Sequence, residues 1–249
     1  AANGARFDAM NGRVEISPDE NSLAEFVADW LIAQMQASTG DFRLVLSGGS
    51  TPRRLYGLLG VERRDHVPWH RLHLYWGDER FVPHTDPESN YGMTFDAMLR
   101  GTPISPDRLH PIPVTGTPAE AAARYEALLQ SHYGADTFDP GRPLFDVILL
   151  GLGGDGHTCS LFPGSPALDE EARWVTVAER ERPQPRITLT YPALRSSRYV
   201  AFLVTGAGKQ PALLGALAGD VALPAARVRS EGEIIWFLDR PAAGPLYHP

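Results

Sequence analysis

The sequence predicts an α/β fold: a doubly wound, mainly parallel sheet with helices on both faces. Short apolar or alternating runs recur along the chain, separated by helical segments of about 10–15 residues, and that spacing implies right-handed crossovers between parallel strands. One run, Phe145–Leu150, is apolar at every position but Asp146, as in a strand buried on both faces. Ligands of such sheets collect at the carboxyl ends of the strands, so the loops that leave those ends carry the functional signal.

Taken in order, Gly12–Ser17 alternates as a short strand. Ser17-Pro18-Asp19-Glu20 reads as a helix start, with Ser17 capping and Glu20 closing a capping box. Leu23, Phe26, Val27, Trp30 and Leu31 then fall on one helical stripe. Arg43–Ser47 is a strand that enters a glycine turn before a helix over Arg53–Leu59. Arg71–Trp76 is a strand, and Asn90–Arg100 a helix. Thr117-Pro118-Ala119-Glu120 repeats the capping-box pattern before a helix reaching Tyr133. Beyond Phe145–Leu150, the runs Trp174–Ala178, Arg186–Thr190, Tyr199–Thr205, Ala226–Arg229 and Ile234–Leu238 read as strands, with a short helix over Pro211–Leu217.

The chain has 249 residues, 43% apolar and 21% charged, ordinary composition for a globular protein. It reads as one domain, residues 1–249. Twenty-three basic against 30 acidic residues give a net charge of −7, and the pI is near 5.6. Acid excess argues against nucleic-acid or anionic-membrane partners, because no broad cationic surface is left to neutralise phosphates. Any phosphate must be held locally. The single cysteine, Cys159, excludes a disulfide framework. Ala1 to Met10 contains no apolar targeting core, and runs such as Val200–Val204 are far too short to cross a bilayer. The expectation is a soluble cytoplasmic protein, a monomer or small homo-oligomer.

Four strand ends carry candidate chemistry. In Ser47-Gly48-Gly49-Ser50-Thr51-Pro52, glycines let backbone N–H groups approach an anion at a helix N-terminus, and the hydroxyls add donors. The same residues also read as a plain turn capped by Thr51. The spacing and lysine of a P-loop are absent. Gly77-Asp78-Glu79-Arg80 offers two carboxylates and an anion clamp, or a solvated ion pair. Gly151-Leu-Gly-Gly-Asp-Gly-His157 formally matches a dinucleotide fingerprint, with Glu179 at the spacing of a ribose contact. Pro163, Gly164 and Pro166 break the helix that reading needs, and Asp155 would repel a pyrophosphate. The glycines instead hold Asp155 and His157 in a fixed pose, as a general base with an orienting partner, or as a structural histidine. Cys159 as nucleophile is disfavoured, since side chains two apart point different ways. Thr205-Gly206-Ala207-Gly208-Lys209 sets a lysine at a helix start, where only a bound anion offsets the macrodipole. Arg186 adds a cation after Pro183 and Pro185. His66, His70 and His73 are a zinc candidate that Pro68 interrupts.

Together, Leu46-Ser-Gly-Gly-Ser-Thr-Pro52, Trp76-Gly-Asp-Glu-Arg80, Gly151-Leu-Gly-Gly-Asp-Gly-His-Thr-Cys-Ser-Leu-Phe-Pro163, Arg186-Ile-Thr-Leu-Thr190 and Gly206-Ala-Gly-Lys209 resemble the 6-phosphogluconolactonase family. They occur in that family's order, from about residue 43 to 209; each is weak alone and the ordered set is specific. The wider group includes glucosamine-6-phosphate deaminase/isomerase. The resemblance implies a Rossmann-related fold and hydrolysis of a small phosphosugar lactone, 6-phospho-D-glucono-1,5-lactone, in the pentose phosphate pathway, without metal or organic cofactor. For such a substrate the expected mechanism has His157 as general base on water, Asp155 or Asp78 orienting the imidazole, and Arg80 with glycine-loop N–H groups stabilising the oxyanion or the sugar hydroxyls. Gly48, Gly49, Ser50 and Thr51 with Lys209 and Arg186 would hold the phosphate. The deaminase branch carries a glutamate where this chain has Phe162 and tends to an aromatic residue at Arg80, so both departures favour the lactonase. Cys159 stands where a small residue such as alanine is usual. The second alternative is a non-catalytic phosphosugar sensor, which should carry a DNA-binding segment; the residues before 17 leave no room for one.

Overall fold

The computed structural model describes residues 5–9, 11–178 and 183–249; Glu179, weighed above as a ribose contact, lies outside them. In chain order the elements are β1 (Arg6–Ala9), β2 (Gly12–Ser17), α1 (Glu20–Ala37), β3 (Phe42–Leu46), α2 (Ser50–Gly57), β4 (Leu72–Trp76), β5 (Asp78–Arg80) and α3 (Asn90–Thr94). They continue with β6 (Leu109–His110), α4 (Pro118–Tyr133), β7 (Phe145–Leu150), β8 (Val175–Ala178) and β9 (Arg186–Leu189). The last are α5 (Tyr191–Arg195), β10 (Ser197–Val204), α6 (Gln210–Leu217), β11 (Glu233–Asp239) and α7 (Arg240–Ala243). Among the described residues no helix is long and apolar enough to cross a membrane.

Eight strands form one sheet in the order β1-β2-β11-β10-β7-β3-β4-β6. Every pairing is parallel except that of β1 with β2. From β3 the chain runs outward through β4 to β6, then returns to β7 and proceeds the other way through β10 and β11. Connections on either side of β3 and β7 therefore diverge, and a crevice opens at their carboxyl ends.

Successive residues of a strand face opposite sides, and β4 displays both layers. Trp76 Nε1 donates to Thr94 Oγ1 of α3 at 3.2 Å, whereas Tyr75 Oη bonds His132 Nδ1 in the last turn of α4 at 2.6 Å. Helices α1 and α2 touch each other and α2 touches α3, so these three share one layer. Phe26 and Trp30 of α1 pack on Phe237 of β11. Strands β3, β4, β7, β10 and β11 carry the buried core.

The Thr117–Glu120 capping box at α4 is formed as the sequence indicates. Helix α1 starts later than expected. Its N-cap is Asp19, which accepts the Ser22 amide at 2.8 Å, because Ser17 is still paired with Asp239 in the β2–β11 ladder. Thr51 is not a cap either: Gly49 occupies that position with no side-chain bond. The run expected as a strand over Ala226–Arg229 overlaps a 3-10 turn at Pro224–Arg227, where the proline sets the turn. The larger difference concerns β5, β8 and β9, which leave the main sheet and form a separate antiparallel one in the order β5-β9-β8. Alternation within each run is the same in either sheet, so only long-range pairing decides between them.

At the amino end of β4, His73 Nδ1 meets His110 Nε2 at 2.9 Å, and His73 Nε2 meets Asp41 at 3.1 Å. Both nitrogens of His73 are thereby engaged, and zinc ligation with His66 and His70 is not what this ring does. His110 stacks on His73 and meets the edge of His132. Burial holds all three histidines below their usual pKa, reinforced by Arg43 and, at His110 and His132, by the neighbouring histidines; Arg108 adds to this at His73 and His110, and only Asp41 opposes it, at His73. His110 is pushed down to about 4. The unfolded chain therefore binds more protons than the folded one below about pH 6.5, so stability falls as pH drops toward 4. For His110 alone the loss between pH 7 and 5 is about 2 kcal/mol. Urea midpoints should thus fall from pH 7 to pH 5, and His110→Phe should flatten that fall. Identical pH profiles in the two proteins would exclude the cluster as the cause.

Candidate active site

Five segments meet at the crevice: the loop after β3, strand β5, the loop after β7, the start of β9, and the turn after β10. They enclose a cavity of about 310 Å³. Gly48, Gly49, Ser50, Thr51, Asp78, Arg80, His157, Arg186 and Lys209 all line it; Asp155 does not. Asp155 stands behind His157, where its Oδ1 meets the imidazole Nδ1 at 2.5 Å and the His157 amide at 3.0 Å. Burial pushes the Asp155 carboxyl up, but these bonds outweigh it and hold it below the usual carboxylate range. An ionised partner at Nδ1 favours the Nδ1–H tautomer and leaves Nε2 as the basic nitrogen.

Gly153 makes this pose possible. A Cβ there would lie 2.1 Å from His157 Nδ1 and 2.8 Å from Asp155 Oδ1, so any side chain would displace the pair. Phe162 packs on the imidazole, with ring centroids 4.9 Å apart. The other candidate carboxylate, Asp78, has different partners. Ser160 Oγ donates to its Oδ2 at 2.7 Å and Asn90 Nδ2 to its Oδ1 at 3.3 Å. Of the two acids, only Asp155 bonds the imidazole.

Strand geometry sorts the Asp78-Glu79-Arg80 cluster. Asp78 and Arg80 share the cavity side, and Glu79 points the other way. Buried Glu79 accepts the amides of Arg80, Asn90 and Tyr91 and the Ser89 hydroxyl. Burial raises its pKa, and the amide donors oppose that rise. It anchors the start of α3 and does not face the cavity.

The β5–β9 ladder sets Arg80 directly opposite Arg186, where two like charges repel. Arg186 lies over Phe162, 5.4 Å from the ring centroid. Arg80 Nη1 is held by the Glu88 carbonyl at 2.9 Å and its carboxylate at 3.2 Å, while the buried Nε has no hydrogen-bond partner among the described residues. On the far wall, Lys209 has no ion-pair partner among the described residues. It is also the only lysine of the chain, every other Lys+Arg residue being arginine. That imbalance was open to sequence reading as a sign of a specific role. The arrangement sets a buttressed imidazole on one cavity wall with three cationic side chains on the others, groups able to assist addition of water to an anionic electrophile.

Other contributors left no local trace. Asn90 donates to the Asp78 carbonyl at 3.0 Å, and its Oδ1 stands 2.2 Å from where a Gly48 Cβ would be. It therefore couples β5 to the glycine loop. Cys159 is the one non-glycine described residue with positive φ, at 49°. Burial and the nearby Asp78 carboxylate push its thiol well above the usual range, so it is not a poised nucleophile.

The family model described as glucosamine-6-phosphate isomerases/6-phosphogluconolactonase matches residues 18–236. A 6-phosphogluconolactonase of Nostoc sp. is 38% identical over 245 residues, covering 95% of this chain and 99% of its own. That of Synechocystis sp. is 41% identical over 220 residues, covering 86% and 89%. The solved 6-phosphogluconolactonase of Trypanosoma cruzi superposes with a TM-score of 0.82 at 29% identity, covering 98% of this chain and 99% of that one.

Proposed function

The chain belongs to the glucosamine-6-phosphate isomerase/6-phosphogluconolactonase family, and we infer that within it the protein is a lactonase with His157 as its general base. It hydrolyses 6-phospho-D-glucono-1,5-lactone to 6-phospho-D-gluconate, a step of the pentose phosphate pathway. The observation that carries the mechanistic reading is the His157–Asp155 pair at 2.5 Å, facing a cavity whose walls hold Arg80, Arg186 and Lys209.

A lactone carbonyl is already an activated ester. The protein has to place water, remove its proton and stabilise charge. Nε2 of His157 takes a proton as the water oxygen adds to C1. The C1–carbonyl π pair moves to oxygen, and Arg80 with loop N–H groups stabilises that oxyanion. Collapse of the tetrahedral intermediate breaks the bond from C1 to the ring oxygen, which receives the proton from the imidazolium. The carboxylic acid then ionises. Lys209, the Gly48–Thr51 loop and Arg186 hold the distant phosphate, so remote binding energy positions the reacting carbon. A substrate with a phosphate that does not cross lipid fits a cytoplasmic setting.

Phe162 weighs against the deaminase alternative. The deaminase branch places a carboxylate at this position, and here the residue is an apolar ring, 1% exposed, packed on His157. The test measures acid release from the phosphorylated lactone above its spontaneous rate, alongside ammonia release from glucosamine 6-phosphate. Acid without ammonia is the expected result. Ammonia release, or no acid above background, would overturn this reading.

A further inference from the structure

The glycine loop that lines the cavity has no side-chain cap on the helix it opens. Its shape must be fixed elsewhere, and both of its ends are tied. The register of β3 with β7 reaches only as far as Val45 and Ile148, so two residues later Ser47 lies outside that ladder. One phenol serves both of its backbone groups: Tyr56 Oη accepts the Ser47 amide at 2.8 Å and donates to the Ser47 carbonyl at 2.6 Å. Tyr56 lies on α2, fully buried, and burial pushes its phenol far up, so the donor proton stays in place. At the far end, Thr51 Oγ1 meets Thr205 Oγ1 at 2.7 Å. Thr205 comes directly after β10 and opens the turn that carries Lys209.

We propose that Tyr56 and Thr205 are positioning residues that clamp the two ends of the Gly48–Thr51 loop, holding its N–H groups and Lys209 in one geometry for the substrate phosphate. This rests on the reading of that loop as the phosphate site. The clamp replaces ladder hydrogen bonds with a side chain nine residues away, so strand β3 stops at Leu46 while its last backbone groups remain satisfied. Removing the phenol oxygen leaves a donor and an acceptor without partners, and the loop relaxes toward other ones. Anion recognition by several N–H groups tolerates displacements of only about half an ångström.

The experiment compares kcat/KM for 6-phosphoglucono-1,5-lactone and for unphosphorylated glucono-1,5-lactone in the wild type, Tyr56→Phe and Thr205→Val. The ratio of the two constants is independent of how much protein is folded, because both substrates meet the same folded population. The phosphate preference should fall about tenfold in Tyr56→Phe, as expected for losing a buried hydrogen-bond pair, and by about threefold in Thr205→Val. An unchanged ratio, or equal losses on both substrates, would assign Tyr56 and Thr205 a purely structural role and overturn the clamp. If Tyr56→Phe yields no folded protein, Thr205→Val decides. A wild type with no phosphate preference would instead sink the phosphate-site reading and the clamp with it, whereas preference in the wild type retained in both variants sinks the clamp alone.

Discussion

Replacing His157 with alanine should lower kcat for the phosphorylated lactone roughly 10²–10⁴-fold, the usual contribution of a positioned general base, while 6-phosphogluconate still binds. The asymmetry arises from the layout of the site. His157 is supported by Asp155 from behind and by Phe162 at its face, whereas the positive charge that would hold the substrate anion belongs to Arg80, Arg186 and Lys209 in the surrounding walls. Removing the imidazole therefore takes away proton transfer and leaves anion binding intact. The lactone hydrolyses spontaneously, so the rate must be measured above that background and product affinity determined separately. Unchanged turnover in this variant would remove His157 from the mechanism.

The second large effect belongs to Lys209. Its replacement by alanine should raise KM for the phosphorylated lactone by roughly 10–100-fold, since a hydrogen bond to a charged group contributes about 1.5–3 kcal/mol. The ammonium stands at the start of α6, where the helix dipole disfavours a cation, and has no ion-pair partner among the described residues to offset this. A bound phosphate removes that cost. Arginine at this position should restore the phosphorylated substrate only in part, because its wider planar fork does not reproduce a point charge. Equal effects on the phosphorylated and unphosphorylated lactones would show that Lys209 does not read the phosphate.

Legibility tracked distance along the chain. His157 and Asp155 are two residues apart in a glycine turn, and their bond is the kind of contact a local pattern can announce. The same holds for the α4 capping box, in which Thr117 and Glu120 are three apart. By contrast, local pattern could not choose between Asp78 and Asp155 as partner of the imidazole. Which carboxylate reaches it depends on Ser160, 82 residues from Asp78, and on Asn90. The Ser17 cap failed for a similar reason: a ladder partner in β11 claimed Ser17, and Asp19 took the helix end. Tyr56 read only as part of a helix, because nothing in a helical stripe reveals that one hydroxyl turns back to a strand end.

By itself the sequence determined the alternation of strands and helices, the glycine turns at strand ends, and the types of group gathered there. These depend on periodicity, backbone freedom and short-range hydrogen bonds, which a few neighbouring residues specify. Only the tertiary structure decided that β5, β8 and β9 form their own antiparallel sheet, so that Arg80 faces Arg186. It alone brought Lys209 and Thr205 to the loop after β3 and gave the imidazole to Asp155. Cross-strand register and the reversal of strand order join segments far apart in the chain, and they are set by burial of the whole core rather than by any local preference.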